Sequence, residues 1–144
     1  MNDKHAFKTS IPMVLALAWP ALAHAESPQQ EWDRYAASRY RYCDAKILSA
    51  HWRQSVEEAK YRIGRKIGWG DTRILSGMMA TAREEAVLDP SRACTYDETG
   101  YSYKDAVKLA REWGVSPLEA KSMVENKVMR GWDNDVRVLL RKRP

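Results

Sequence analysis

Histidine and cysteine are scarce in this chain of 144 residues, which contains three His and two Cys. His5 and His24 lie within the first 25 residues, so His51 is the only histidine in the rest of the chain. The sequence also lacks CxxC and HExxH motifs and a glycine-rich phosphate-binding loop. A zinc site needs about four such ligands. We therefore expect neither a metal ion nor any other cofactor.

Long apolar runs are also missing, apart from a short one near the N-terminus. Lys4 and Lys8 precede the apolar segment IPMVLALAWPALA, and the small residues AHA follow it. This is the three-part pattern of a secretory signal peptide, and the run is shorter than the ~20 residues of a membrane-spanning helix. We predict cleavage after Ala25 and a periplasmic or secreted protein, residues 26–144, without a transmembrane segment. The alternatives are a membrane anchor and a buried first helix.

The two cysteines, Cys43 and Cys94, both lie in the predicted mature protein. An even number of cysteines in an exported protein favours a disulfide bond. Two free buried thiols, or half of a metal site, are the alternatives. The net charge of +5 is spread along the sequence, which favours a mixed-charge surface over a nucleic-acid or acidic-lipid footprint.

An internal repeat organises the mature protein. Residues 40–67 align without a gap with residues 101–128, and 11 of the 28 aligned positions are identical, including two tyrosines and a tryptophan. Self-similarity of this kind indicates a duplicated structural unit. We predict two units, about 40–88 and 101–142.

Each unit contains the start and stop signals of three helices and lacks the alternation of apolar and polar residues that is typical of strands. In the second copy Ser102 begins a helix that ends at Gly114, and Ser116 begins the next, which ends at Gly131. A third helix follows Asp133. The first copy repeats this plan, and SPQQ from residue 27 indicates an extension or an extra helix before it. We predict an all-α fold in which the two three-helix units pack as one domain.

The segment DAVKLAREWGVSPLEAK has a second interpretation. Ala110 is small where the two helices cross, Gly114 forms the turn, and Ala120 faces the first helix. The segment resembles the DNA-binding helix-turn-helix family, whose second helix enters the major groove. The resemblance covers about 20 residues and implies nucleic-acid binding, which is one alternative function.

Other features of the segment favour an ordinary capped helix pair. The aligned copy has Arg53 in place of the turn glycine. The recognition helix would carry two glutamates against two lysines, and a helix without net charge is poorly suited to phosphate contacts. We therefore consider nucleic acid an unlikely partner.

No catalytic constellation stands out, and we expect no enzymatic activity. Asp44 and Asp105 recur at aligned positions and are candidates for acid–base catalysis in a small envelope hydrolase, a further alternative. Lys60 and Lys121 recur with them at the same separation. This co-occurrence favours a structural ion pair between Asp and Lys within each unit.

The unpaired tryptophans indicate a partner surface. Trp69 and Trp132 have no aromatic counterpart and lie in the corners between the second and third helices of each unit, beside the basic residues Arg65, Lys66 and Arg130. Exposed Trp beside Arg is typical of interaction hot spots. We expect a module that binds an unknown protein or cell-envelope component, such as an inhibitor, an immunity protein or an accessory subunit.

Overall fold

The computed structural model describes residues 26–141, whose regular secondary structure is all helical and includes no strand. This confirms the all-α prediction. The predicted signal peptide lies outside the described residues. Seven α-helices occur in this range, with two short 3₁₀ turns at Pro90–Arg92 and Tyr96–Glu98. The helices are α1 (Pro28–Ala36), α2 (Tyr42–Trp52), α3 (Val56–Gly68), α4 (Thr72–Leu88), α5 (Tyr103–Trp113), α6 (Pro117–Arg130) and α7 (Asn134–Arg141).

Reciprocal capping explains where most of these helices begin. At each capped N-terminus a serine hydroxyl accepts a hydrogen bond from the third helical N–H, and the side chain at that third position accepts one from the serine N–H. The four Ser-based boxes are Ser27–Gln30, Ser55–Glu58, Ser102–Asp105 and Ser116–Glu119. These donors would otherwise lack partners, so the helix starts are set by local sequence.

Three helices end in a residue with left-handed backbone. Gly114 and Gly131 adopt φ of +68° and +72° after α5 and α6. Arg53 ends α2 at the position aligned with Gly114, with φ of +56°, and it is the only non-glycine residue of 26–141 with a positive φ. The left-handed conformation costs an L-residue roughly 1–2 kcal/mol, so the first copy makes the same turn at a higher cost.

The core is one hydrophobic cluster with contributions from both halves of the protein. Helices α2 and α4 both contact α6, which places the second half against the first. Several positions that align between residues 40–67 and 101–128 are completely buried in both segments. They are Ala45 and Ala106, Leu48 and Leu109, Ala59 and Ala120, and Ile63 and Val124. Three of the 11 identities are therefore core residues, and two others, Ser55/Ser116 and Glu58/Glu119, form capping boxes.

Helix α1 precedes the first copy and packs against α3. Gly64 makes this close approach possible, since a Cβ at that position would lie 1.8 Å from the carbonyl oxygen of Glu31. The aligned residue of the second copy is Glu125, whose carboxylate instead accepts a hydrogen bond of 2.6 Å from the Tyr96 N–H. The alternative of a separate extra helix is thus the correct one.

The segment between α4 and α5 is held by a disulfide bond. Cys43 in α2 and Cys94 are bonded, with their Cα atoms 5.9 Å apart, and both are buried. The disulfide prediction is confirmed, and no free cysteine occurs in residues 26–141. Within the same range, no helix has the length and apolar character needed to cross a membrane.

Candidate functional site

The repeated aspartates are capping residues. Asp105 Oδ2 accepts hydrogen bonds from the N–H and the hydroxyl of Ser102, at 2.7 and 2.8 Å. Asp44 Oδ2 accepts one from the Arg41 N–H at 2.9 Å. Both lie at the third position of their helices, α5 and α2. Helix capping, and not a bond to the repeated lysine, accounts for their recurrence.

The repeated lysines lie between aromatic rings. Lys60 Nζ is 5.1 Å from the ring centroid of Trp32 and 5.4 Å from that of Tyr42, and Lys121 Nζ is 5.2 Å from Tyr96 and 5.3 Å from Tyr103. Both ammonium groups are thus within cation–π range of two rings. Lys60 also pairs with Glu57 at 3.2 Å. The structure therefore replaces the predicted Asp44–Lys60 and Asp105–Lys121 ion pairs with these contacts.

The structure separates the five residues of the predicted partner surface. Arg65 forms two hydrogen bonds, of 2.6 and 3.0 Å, with the buried carboxylate of Glu31, and this hydrogen bonding raises the pKa of Arg65. Lys66 Nζ lies 3.7 Å from Asp71 and is largely covered. These two basic side chains support the fold around α1 and α3. Trp69 is 63% exposed beside them, in a groove whose charged groups are already partly paired.

Trp132 lies in a different groove, which we call the Trp132 groove. Its walls are Ala80, Arg83, Glu84, Val87, Leu88, Arg130 and Trp132, around a cavity of about 470 Å³. Trp132 is 63% exposed, and the Arg130 guanidinium carbon lies 5.2 Å from its ring centroid. Leu88 is 85% exposed at the end of α4. An exposed Trp, a stacked Arg and an uncovered Leu in one groove are suited to protein binding.

An arginine cleft adjoins this groove, and Arg83 and Ala80 line both. The cleft, about 270 Å³ in volume, lies between the two halves of the protein. Its charged residues are four arginines and two aspartates: Arg39, Arg41, Arg83, Arg137, Asp44 and Asp133. Sequence reasoning missed this site because its members come from four separated segments. The sequence showed only that several arginines were present, and not that they lie together.

Each aspartate of the arginine cleft is paired. Asp44 Oδ1 accepts a hydrogen bond of 2.8 Å from Arg83 Nη2. Asp133 accepts one of 2.9 Å from the Tyr101 hydroxyl and one of 3.4 Å from Arg137 Nη2. Burial, reinforced by the bond to Asp133, raises the pKa of Tyr101 to about 12. The hydroxyl therefore remains protonated and donates to the carboxylate at neutral pH.

The carboxyl groups with clear pKa shifts are poor candidates for general acids. In residues 26–141 each such shift is downward, which favours the ionised form, whereas a general acid needs a raised pKa. The hydrogen bond from His51 is the largest cause for Glu85, and the bond from Lys127 is the largest for Asp135. No group of three or more potential metal ligands occurs among the described residues.

Helices α5 and α6 do form a capped helical hairpin around Gly114. Three basic residues lie on α6: Lys121 lies over two tyrosine rings, Lys127 Nζ is 2.7 Å from Asp135, and Arg130 donates a hydrogen bond of 2.9 Å to Asn126. With two glutamates against three basic residues, α6 carries a net charge of only about +1, which is poorly suited to phosphate contacts. Nothing in this geometry favours the nucleic-acid alternative.

Comparison with known proteins gives no relative: the sequence matches no protein-family model, no curated protein and no solved structure.

Proposed function

We propose that this protein is exported and acts outside the cytoplasm as a binding protein without enzymatic activity. The N-terminal pattern of Lys4, Lys8 and residues 11–25 supports export. The buried Cys43–Cys94 disulfide fits an oxidising compartment, because thiols are kept reduced in the cytosol.

The exposed Trp132 carries the binding proposal. Trp132, beside Arg130 and Leu88, leaves much of its apolar surface in water, and a bound partner would bury that surface. The groove around Trp69 is the weaker candidate, since Glu31 already binds its Arg65. The partner is a protein or an envelope component, and the function is that of an inhibitor, an immunity protein or an accessory subunit.

We further propose that residues 40–88 and 101–142 are duplicated units. Three observations support this: the aligned identities, helices α2 and α5 of 11 residues each, and aligned core positions buried in both copies. Helix α4, with 17 residues, is the longest helix among residues 26–141. Val87 and Leu88 are exposed at its C-terminal end.

Photo-crosslinking in the organism that encodes the protein tests this function. A photoreactive amino acid replaces Leu88 in one variant and Leu118 in the control, because both side chains are exposed, at 85% and 75%, and only Leu88 lines the Trp132 groove. We expect one discrete adduct from position 88 and none from position 118. The absence of an adduct at position 88, or identical adducts at both positions, contradicts the proposal.

A further inference from the structure

The arginine cleft carries more positive than negative charge. Four guanidinium groups face two carboxylates, and each carboxylate has one arginine partner, Arg83 or Arg137. The remaining two, Arg39 and Arg41, take part in none of the ion pairs among residues 26–141. The cleft therefore has an excess of about two positive charges at neutral pH, since guanidinium groups stay protonated.

The two arginines without carboxylate partners are held in place by neutral groups. Arg39 Nη2 donates a hydrogen bond of 2.9 Å to the Ser76 hydroxyl, and its guanidinium carbon lies 5.4 Å from the Tyr40 ring centroid. Arg41 lies 5.9 Å from the Tyr101 ring centroid. Such contacts orient the guanidinium groups without neutralising them, so donors remain for an incoming anion.

Continuity with the Trp132 groove narrows the class of ligand. Arg83 and Ala80 line both cavities, and Gly131, which lines the cleft, directly precedes Trp132. A free phosphate or a small carboxylic acid would occupy the cleft of about 270 Å³ and leave the groove of about 470 Å³ empty. A protein segment with an acidic residue next to a large apolar one fills both.

We propose that the arginine cleft binds acidic side chains of the partner's docking segment, while an apolar side chain of the same segment packs against Trp132 and Leu88. This inference rests on the proposed function, because it defines the chemistry of the partner. Guanidinium groups match carboxylates in planar, bidentate geometry. The residual charge of the cleft accommodates two carboxylates, so the favoured segment contains two acidic residues, or one acidic residue at the carboxyl terminus of the partner.

Because Gly131 has no side chain, the Arg83 guanidinium has room at the junction between the two cavities. A Cβ at this position would lie 1.9 Å from Arg83 Nη1, and φ of +72° already disfavours other residues. Gly131→Ala would therefore displace the guanidinium that the cleft and the groove share. The glycine both ends α6 and makes space for Arg83.

Selection of peptides on the disulfide-bonded protein tests the inference. A random peptide library displayed on phage is selected on the wild type, and the affinities of enriched peptides are then measured by fluorescence anisotropy. We expect enriched peptides to carry Asp or Glu within a few residues of a large apolar side chain. Arg39→Gln and Arg41→Gln should each weaken binding by about tenfold or more, the usual effect of losing a charge-assisted hydrogen bond, because these two arginines have no carboxylate partner among residues 26–141.

Arg111→Gln is the matched control, since Arg111 is exposed on α5, outside the cleft, and undergoes the same change of charge. Each variant is first shown by circular dichroism and thermal melting to be folded. Gly131→Ala provides a second test that keeps every charge, and it should weaken binding as well. Enriched peptides without acidic residues, or cleft variants that bind as tightly as the Arg111 control, overturn the inference.

The two proposals fail separately. A partner that crosslinks at position 88 while its binding is indifferent to Arg39 and Arg41 leaves the proposed function intact and refutes the acidic segment. Acidic peptides that need both arginines, without any crosslinked partner in the cell, give the reverse result.

Discussion

Loss of the Cys43–Cys94 disulfide is expected to be among the most destabilising changes in this protein. The bond joins α2 to the segment between α4 and α5, across a sequence separation of 51 residues. A crosslink of this loop length removes conformational entropy from the unfolded state, which corresponds to about 4 kcal/mol of stability at 25 °C. A domain of this size has a total unfolding free energy of about 5–15 kcal/mol, so reduction should remove a large part of it.

Urea unfolding of three samples separates the crosslink from local packing. The oxidised wild type, the reduced wild type and Cys43→Ala/Cys94→Ala are compared, because reduction breaks the bond while it keeps both buried sulfur atoms in place. With a denaturant slope near 2 kcal/mol/M, a loss of about 4 kcal/mol lowers the urea midpoint by about 2 M. The double alanine variant should resemble the reduced protein, with a small further loss from the removed sulfurs.

Oxidised and reduced proteins that differ by less than about 1 kcal/mol would refute this reasoning. That result would mean that the segment between α4 and α5 already restricts the unfolded protein, or that the thiols are not joined in the native protein. Alkylation of the non-reduced protein followed by mass measurement distinguishes these two explanations.

Three further predictions concern stability. Burial raises the pKa of three tyrosines from 10.0 to about 12, so their contribution to the unfolding free energy is fully present below pH 10 and is lost as the pH rises towards 12. The three are Tyr35, Tyr96 and Tyr101. Urea midpoints and tyrosinate absorbance measured against pH check this prediction. Ionisation of all seven tyrosines near pH 10 would contradict it. Arg53→Gly should raise the unfolding free energy by roughly 1 kcal/mol, because glycine adopts the left-handed turn without steric cost, and equal or lower stability in urea would contradict this. Asp105→Ala and Lys121→Met should each cost about 1 kcal/mol, from the lost cap and the lost cation–π contacts, and should add within about 0.5 kcal/mol in a double-mutant cycle. Strong coupling between Asp105 and Lys121 would instead support the ion pair predicted from the repeat.

The local features of the fold were accessible from the sequence. Ser116 with Glu119, Gly114 and Gly131 set helix boundaries through backbone hydrogen bonds that depend on residues at most four positions away. The disulfide followed from the even cysteine count, since only two cysteines were present to pair.

The arginine cleft and the contacts of the repeated residues were harder to predict from the sequence, because they depend on contacts between distant segments. Asp44 and Lys60 recur together, which suggested a direct bond, yet the capping box and the Trp32 ring satisfy them separately. Arg83 of α4 and Arg137 of α7 line one cleft because α4 packs against α6, and Gly131 at the end of α6 lies beside Arg83. A repeat identifies which residues share a role, and only the packing shows what that role is.

Affinity purification of the tagged protein from the envelope or secreted fraction tests the Trp132 surface most directly. Trp132→Ala is compared with the wild type and with Trp69→Ala, a control in which an equally exposed tryptophan, also at 63%, is removed from another groove. We expect a stoichiometric partner with the wild type and with Trp69→Ala, and its loss with Trp132→Ala, because truncating a hot-spot tryptophan costs about 2 kcal/mol or more. Retention of the partner by Trp132→Ala, or its loss only in Trp69→Ala, would contradict the assignment.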